Sequence, residues 1–77
     1  MMRMALKIAL LESHRTQRDI AREAGLPESR VSDIVRGWAN PRVEEAQALS
    51  KTLDISIAQL FPHEDALLKK PRPGVSS

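Results

Sequence analysis

The 77-residue chain has no cysteine and very few aromatic residues. The lack of cysteine excludes a disulfide scaffold, a thiolate zinc site and a cysteine nucleophile. Trp38 and Phe61 are the only aromatic residues, 3% of the chain, so its core has to be aliphatic. Because many RNA-binding surfaces stack bases on aromatic rings, the composition argues against a surface of that kind.

Long apolar runs are missing as well. The N-terminal stretch is apolar as far as Leu11, but Arg3 and Lys7 interrupt it, and it is much shorter than the roughly 20 residues that cross a membrane. Residues 12–15 offer no small-residue cleavage site of the kind that ends a signal peptide. We therefore expect a cytoplasmic protein, associated with the nucleoid if its partner is DNA.

The net charge of +2 conceals an uneven distribution. Residues 1–42 hold eight Lys/Arg against five Asp/Glu, a net charge of +3, whereas residues 43–65 hold one against five, a net charge of −4. Lys69, Lys70 and Arg72 make the end of the chain basic again. A polyanion is therefore expected to contact the first half of the chain, with the acidic segment facing away from it.

The pattern of apolar residues and helix breakers predicts five short helices and no strands, because no segment alternates with period two. The first helix is predicted over residues 3–13, which are rich in helix formers. The second begins after Thr16, a good N-cap, and ends at Gly25, which tolerates positive φ.

The other helix boundaries follow from the same kinds of signal. Pro27 is expected in the first turn of the third helix, and Gly37 closes it. Asp54, which tolerates positive φ, ends the fourth helix, and Ser56 caps a short fifth helix that Pro62 stops. Residues 1–61 are predicted to form the domain, with residues 62–77 as a partly flexible C-terminal extension.

The spacing across residues 17–37 is the most informative feature. Two short helices are joined by a turn that contains Gly25, and Ala21 is small where the helices cross. Val31 and Ile34 fix the second helix on the first. This arrangement is typical of a helix-turn-helix unit, which presents its second helix to the major groove of DNA. A plain helical hairpin in a small bundle is the alternative.

These residues resemble the phage repressor and Cro-like helix-turn-helix group, often called the XRE family. The matching residues are Thr16, Gln17, Ile20, Ala21, Gly25, Val31, Ser32, Ile34, Gly37 and Pro41. The resemblance, which extends over residues 6–61, implies an all-α, lambda-repressor-like domain of five helices. The segment 30–37 resembles the corresponding segment of repressors and antitoxins from toxin–antitoxin operons.

The sequence departs from the family pattern at two places. Leu10 and Val35 stand where many members pair an arginine with a glutamate, and Arg15 stands where the family prefers an apolar residue. An apolar contact between Leu10 and Val35 would preserve the packing, since hydrophobic residues can replace a buried ion pair without loss of stability.

The third helix is predicted to read bases with the face opposite its buried stripe. At about 100° per residue, the inward Val31 and Ile34 leave Ser29 pointing outward. A carboxylate accepts from the cytosine N4 amine, and a serine hydroxyl serves several base edges. The expected base-reading residues are Glu28, Ser29, Arg30, Ser32 and Asp33. For the two carboxylates, favourable charge at a helix N-terminus and a solvated surface are the alternative.

A second set of residues is predicted to hold phosphates. The resemblance gives Gln17 this role, and the start of a helix favours an anion independently. The expected phosphate-binding residues are Arg15, Gln17, Arg18, Arg36, Asn40 and Arg42. Such contacts position a domain without reading sequence. A solvated face is the alternative for Arg15 and Arg18, and a favourable charge at a helix C-terminus is the alternative for Arg36.

The first helix carries more apolar residues than the core needs. Beside its core-facing residues it has a second stripe formed by Met1, Met4, Ile8 and Leu11. Because such a helix is usually buried on both sides, either residues 66–68 fold over it or a second subunit does. The dimer candidates are Met4, Ile8, Leu11, Leu67 and Leu68. Palindromic operators favour a two-fold homodimer.

Trp38 follows the third helix and has three possible positions. It packs on the core, touches a sugar-phosphate strand or lies in a dimer interface, and we expect packing. His14 and His63 have no partner at metal-ligand spacing, so we expect no metal, and we expect no cofactor. A chain of 77 residues leaves no room for a ligand-sensing domain beside the helix-turn-helix, so no small-molecule ligand is expected either. Nothing in the sequence indicates catalytic residues, and the protein is not expected to be an enzyme.

Together these features predict a transcriptional repressor. It would read the major groove with the helix over residues 28–36, as a homodimer on an inverted repeat. The alternative is a protein-interaction module of the same fold with weak DNA affinity, such as an antitoxin that contacts a toxin, because Glu28 and Asp33 on the reading face repel phosphates.

Overall fold

The computed structural model describes residues 2–64, which form five α-helices and contain no strand. The helices are α1 (Met4–Glu12), α2 (Gln17–Ala24), α3 (Glu28–Arg36), α4 (Val43–Leu53) and α5 (Ile57–Leu60). The prediction of a compact, all-α domain of five helices is confirmed. Leu67, Leu68, Met1 and the basic residues after 68 lie outside the described residues.

The predicted N-caps of α2 and α5 are present. Thr16 Oγ1 accepts a hydrogen bond from the backbone N–H of Asp19 at 3.0 Å, and Ser56 Oγ accepts one from that of Gln59 at 3.2 Å. Pro27 differs from the prediction, because its extended backbone (φ −62°, ψ 141°) makes it the N-cap of α3 rather than a residue of the first turn.

The helix ends also follow local residue chemistry. Gly25 and Gly37 close α2 and α3 with φ of 75° and 82°. Asp54 ends α4 with φ of 58°. His14, between α1 and α2, also has positive φ, 60°, and no sequence pattern predicted it.

One apolar core joins the five helices. Its buried residues within the described range are Leu6, Ala9, Leu10, Ile20, Ala21, Val31, Ile34, Val35, Ala46, Leu49, Leu53, Leu60 and Phe61. The core is aliphatic apart from Phe61, as the composition predicts. Leu10 and Val35 are both buried in this core, so both positions contribute to its apolar packing. In this core α2 packs on α3 and α4, while α1 packs on α3 and α5.

Arg3 connects the start of the chain to the end of α3. Its backbone N–H donates to Val35 O at 2.8 Å. Its guanidinium donates to Ile34 O at 2.7 Å and to Ala39 O at 3.0 Å, and it pairs with Glu64 at 3.1 Å. The side chain is only 12% exposed. A partly buried cation at these carbonyls stabilises the C-terminal end of α3, and the sequence pattern did not predict this role.

Candidate nucleic-acid interface

Helices α2 and α3 form a helix-turn-helix unit with a three-residue turn. The two helices end in the same way, because Leu26 N–H donates to Ala21 O and Trp38 N–H donates to Asp33 O, both at 2.9 Å. This bond pattern around a glycine at positive φ is a Schellman motif. It reverses the chain tightly after Gly25, so that α3 packs against α2 with Val31 fully buried.

The exposure of side chains along α3 follows the predicted orientation. Val31, Ile34 and Val35 are buried, whereas Glu28 and Ser29 are exposed. Ser32 and Asp33 are half-buried and Arg36 is exposed. The helix therefore presents a polar face to solvent, and base reading by this face stays a prediction.

Glu28 and Arg18 connect the outer surfaces of α3 and α2. The Arg18 Nε lies 3.4 Å from Glu28 Oε1, and both side chains are well exposed. An exposed pair at this distance contributes little to stability. The pair can therefore open when DNA is present. Arg18 would then be free to bind a phosphate, and Glu28 would be free to accept from a base amine.

Arg30 is engaged within the domain. Its Nε donates to Glu45 Oε2 at 2.7 Å, and one terminal nitrogen donates to Glu45 Oε1 and to Asn40 O, both at 2.9 Å. The residue leans from α3 towards the start of α4, away from the most outward direction of the helix. Its predicted contact with bases is untested, and any such contact would compete with these three hydrogen bonds.

Glu45 belongs to the acidic segment, but its carboxylate is not a surface charge. It is buried in the first turn of α4, where its Oε1 also accepts from the backbone N–H of Arg42 at 2.8 Å. The hydrogen bond from Arg30 lowers the pKa of the Glu45 carboxyl from its ordinary value, and this outweighs the opposing effect of burial. The same hydrogen bond raises the pKa of Arg30, so both groups are charged at neutral pH.

The capping role of Glu45 follows a sequence pattern, but the pattern is recognised only once the N-cap of α4 is known. A glutamate three residues after the N-cap is the acidic half of a capping box, and Arg42 is that N-cap. Without the tertiary structure, this pattern gives no indication that Arg30 also reaches the same carboxylate.

Gln17 and Arg18 begin α2, as the phosphate-binding prediction requires. Gln17 is half-buried and Arg18 is exposed. Their backbone N–H groups belong to the first turn, where a helix provides no acceptor of its own. An anion is therefore favoured here both by free donors and by the helix dipole.

The other phosphate candidates differ in how far they are already occupied. Arg15 pairs with Glu23 at 2.6 Å and donates to Thr52 O at 3.0 Å, so it fixes α2 against the end of α4. Asn40 is exposed, but its Oδ1 accepts from Arg3 and its carbonyl from Arg30. Arg42 is exposed at the start of α4. Phosphate binding by all three stays a prediction.

Trp38 does not pack on the core, and this expectation was wrong. Its side chain is 71% exposed, because the left-handed Gly37 turns the chain and the bond from Trp38 N–H to Asp33 O holds it at the end of α3. The Arg36 guanidinium lies over the indole ring, 4.9 Å from its centroid. An arginine on an indole is a cation–π pair, which here lies on the surface beside the polar face of α3.

The dimer candidates of α1 are exposed. Met4, Ile8 and Leu11 all point away from the core. Two grooves of about 490 and 500 Å³ lie beside α1, and Leu60 and Pro62 line both of them.

Within residues 2–64, no cluster of three His, Asp or Glu could hold a metal ion. In the same part of the chain, no helix has the length and apolar character of a membrane span.

A family model for helix-turn-helix proteins matches residues 6–60, which is most of the chain and runs from within α1 to the end of α5. The chain therefore belongs to the XRE-like helix-turn-helix family of DNA-binding regulators. No curated protein and no solved structure matched the chain.

Proposed function

We propose that the protein is a sequence-specific transcriptional repressor that reads the major groove with α3 and acts as a homodimer on an inverted repeat. The observation that carries this proposal is the polar outer face of α3, which lies opposite three buried residues of the same helix. A helix presented in this way fits the width of the major groove. In the cell, such a repressor would act in the cytoplasm, on the nucleoid.

The chemistry of that face suits base edges. Ser29 and Ser32 carry hydroxyls that both donate and accept, while Glu28 and Asp33 accept from cytosine N4 amines. Gln17 and Arg18 begin the preceding helix, where a phosphate of the adjacent strand would be held. Phosphate contacts would set the register, and the α3 side chains would then select the sequence.

Two partly buried arginines support this function by holding the reading helix within the domain. Arg30 links α3 to α4 through Glu45, and Arg3 holds the C-terminal end of α3 through its contacts with Ile34 and Ala39 carbonyls. A reading helix held at both ends keeps its side chains in one orientation, which favours selection of one sequence over a looser fit to many.

Binding to the gene's own promoter region tests the proposal. The measurement is a gel shift over a series of salt concentrations, with a shuffled fragment of the same length and composition as control. We expect the promoter fragment to bind at least about a thousandfold more tightly than the shuffled one. Equal affinity for the two fragments, falling equally steeply with salt, would overturn sequence-specific recognition.

A protein-interaction module is the second candidate function, and the carboxylates on the reading face favour it. Glu28 and Asp33 bring negative charge to the surface that would meet phosphates, which weakens non-specific affinity for DNA. An antitoxin that contacts a toxin would satisfy this description. Tight association with the product of the neighbouring open reading frame, together with equal affinity for both DNA fragments, would favour this candidate.

A further inference from the structure

Helix α1 has two apolar faces, and only one of them faces the core. Leu6, Ala9 and Leu10 are buried. On the opposite face, Met4, Ile8 and Leu11 are 58%, 46% and 65% exposed. An exposed apolar stripe on a helix marks an interaction surface more often than a solvated one.

The spacing of the stripe is that of a coiled coil. Intervals of four and three residues separate Met4, Ile8 and Leu11, which places them at d, a and d of a heptad. A β-branched residue at a with leucine at d favours two parallel strands. Ile8 and Leu11 occupy those positions, so the stripe has the side chains that a parallel pair of helices prefers.

The charges beside the stripe point to a second copy of the same helix. Lys7 and Glu12 occupy the flanking g and e positions, on opposite sides of the stripe, and neither forms an ion pair with any residue in 2–64. In a parallel pair, Lys7 of each copy forms an ion pair with Glu12 of the partner subunit, one pair on each side of the two-fold axis. An antiparallel pair would instead bring each Lys7 to the partner's Lys7.

We propose that α1 is the homodimer interface, and that two copies pack their α1 helices in parallel around a two-fold axis. This rests on the homodimer of the proposed function and names the surface that forms it. The apolar surface continues from Ile8 into the groove between α1 and α5, which Ile55 and Ala58 also line. That groove adds contact area on each side of the seam.

The dimer is expected to be weak in the absence of DNA. A helix of nine residues contributes less than the about 800 Å² per partner that a stable interface buries. The dimer therefore forms at high protein concentration, or where two half-sites of one operator hold both copies close together. This predicts cooperative binding to an inverted repeat and weaker binding to a single half-site.

Exchange of the flanking charges tests the proposal on the full chain. Lys7→Glu and Glu12→Lys each replace attraction by repulsion, and each should raise the dissociation constant of the dimer about threefold to tenfold. The double variant Lys7→Glu/Glu12→Lys should return the dissociation constant to the wild-type value. Sedimentation velocity over the micromolar to millimolar range measures the constant, and circular dichroism confirms that each variant retains its helices.

Cysteine cross-linking tests the parallel orientation, because the chain has no cysteine of its own. Met4→Cys and Leu11→Cys should each form a symmetric disulfide dimer on mild oxidation. The two positions lie about 10.5 Å apart along the helix, so an antiparallel seam would cross-link only a mixture of the two variants. Gln47→Cys, exposed on α4, is the matched control and should remain monomeric.

The outcomes separate this interface from the proposed function. A wild-type dimer whose dissociation constant is unchanged in the α1 variants overturns the α1 seam and leaves the homodimer intact. A chain that stays monomeric even on an inverted repeat overturns the seam and the homodimer together. In a monomer, slow alkylation of the Leu11→Cys thiol would show that another part of the same chain covers the stripe, which also overturns the seam.

Discussion

Arg30 of α3 and Glu45 of α4 form an ion pair with two hydrogen bonds, of 2.7 and 2.9 Å, and their side chains are 29% and 11% exposed. The same carboxylate accepts from Arg42 N–H. Glu45 thus stabilises the start of α4 and fixes α3 beside it. The pair gives the reading helix a rigid attachment on the side away from its polar face.

The stability losses caused by removing each partner of this pair should not be additive. Glu45→Leu is expected to lower the free energy of unfolding by about 2 kcal/mol, since it removes hydrogen bonds to a charged group. Arg30→Met leaves the buried carboxylate without its main donor and is also destabilising. The double variant should lose less than the two losses combined. Chemical denaturation of the four proteins measures this coupling, and strict additivity would contradict it.

Acid should destabilise the wild type through Glu45. Its pKa is lower in the folded protein, so its contribution to stability is complete above the ordinary glutamate pKa of about 4.3 and is lost as the pH falls through the folded-state value. The difference in free energy of unfolding between wild type and Glu45→Gln should therefore shrink as the pH falls from about 4.3 through the lower folded-state pKa of Glu45. Denaturation at several pH values measures it. Glu44→Gln, a change at the exposed neighbour, is the control and should leave the curve parallel to that of the wild type.

Substitutions on the polar face and at the phosphate positions should have different effects on DNA binding. Ser29→Ala or Asp33→Ala should change which base is preferred at one position of the site, with discrimination altered by about 1–3 kcal/mol. Gln17→Ala should weaken binding to all sequences alike. Arg42→Ala should do the same and also reduce the salt slope by about one. An unchanged base preference in both α3 variants would place the reading face elsewhere.

Trp38 should report directly on its own exposure, because it is the only tryptophan and the chain has no tyrosine. Its emission in the folded protein is expected to be red-shifted already and to move little on unfolding. Trp38→Ala should change the free energy of unfolding by no more than about 0.5 kcal/mol. Trp38→Phe is the conservative control, since it keeps a ring for Arg36. A blue-shifted emission in the folded state would show that the indole is buried.

Gly25→Ala should destabilise the domain through backbone conformation alone. A Cβ at this position would meet no atom within 4 Å, but φ is +75°. The left-handed conformation costs a residue with a Cβ about 1–2 kcal/mol. Gly25→Asn should cost less, because asparagine tolerates this region better. Thermal and chemical denaturation measure the order wild type, Asn, Ala; equal stability of the Asn and Ala variants would contradict backbone conformation as the cause of the loss.

The parts of the fold that were predicted correctly depend on residues close together in sequence. Thr16 caps α2 through the backbone N–H of Asp19, only three residues further on, and Gly25 ends the helix by its own φ preference. The buried stripe of α3 follows from helix periodicity. The outward position of Ser29 then follows from simple geometry, so the candidate reading face could be derived without a structure.

The parts that were missed depend on contacts between distant residues. Arg3 reaches carbonyls more than thirty residues away, and Glu45 meets Arg30 across fifteen. No periodicity or local motif indicates which distant charge will lie beside which carbonyl. The expectation for Trp38 failed for a related reason, since whether a large ring after a helix turns inward depends on whether the core beneath it has room.

The sequence by itself thus determined the five helices, the helix-turn-helix unit and the direction in which α3 presents Ser29, because caps, glycines and periodicity act locally. Only the tertiary structure decided that Glu45 is buried against Arg30, that Trp38 lies on the surface with Arg36, and that Met4, Ile8 and Leu11 are left exposed. Those outcomes depend on how the helices pack, and packing is determined by the shape of the whole core rather than by any one segment.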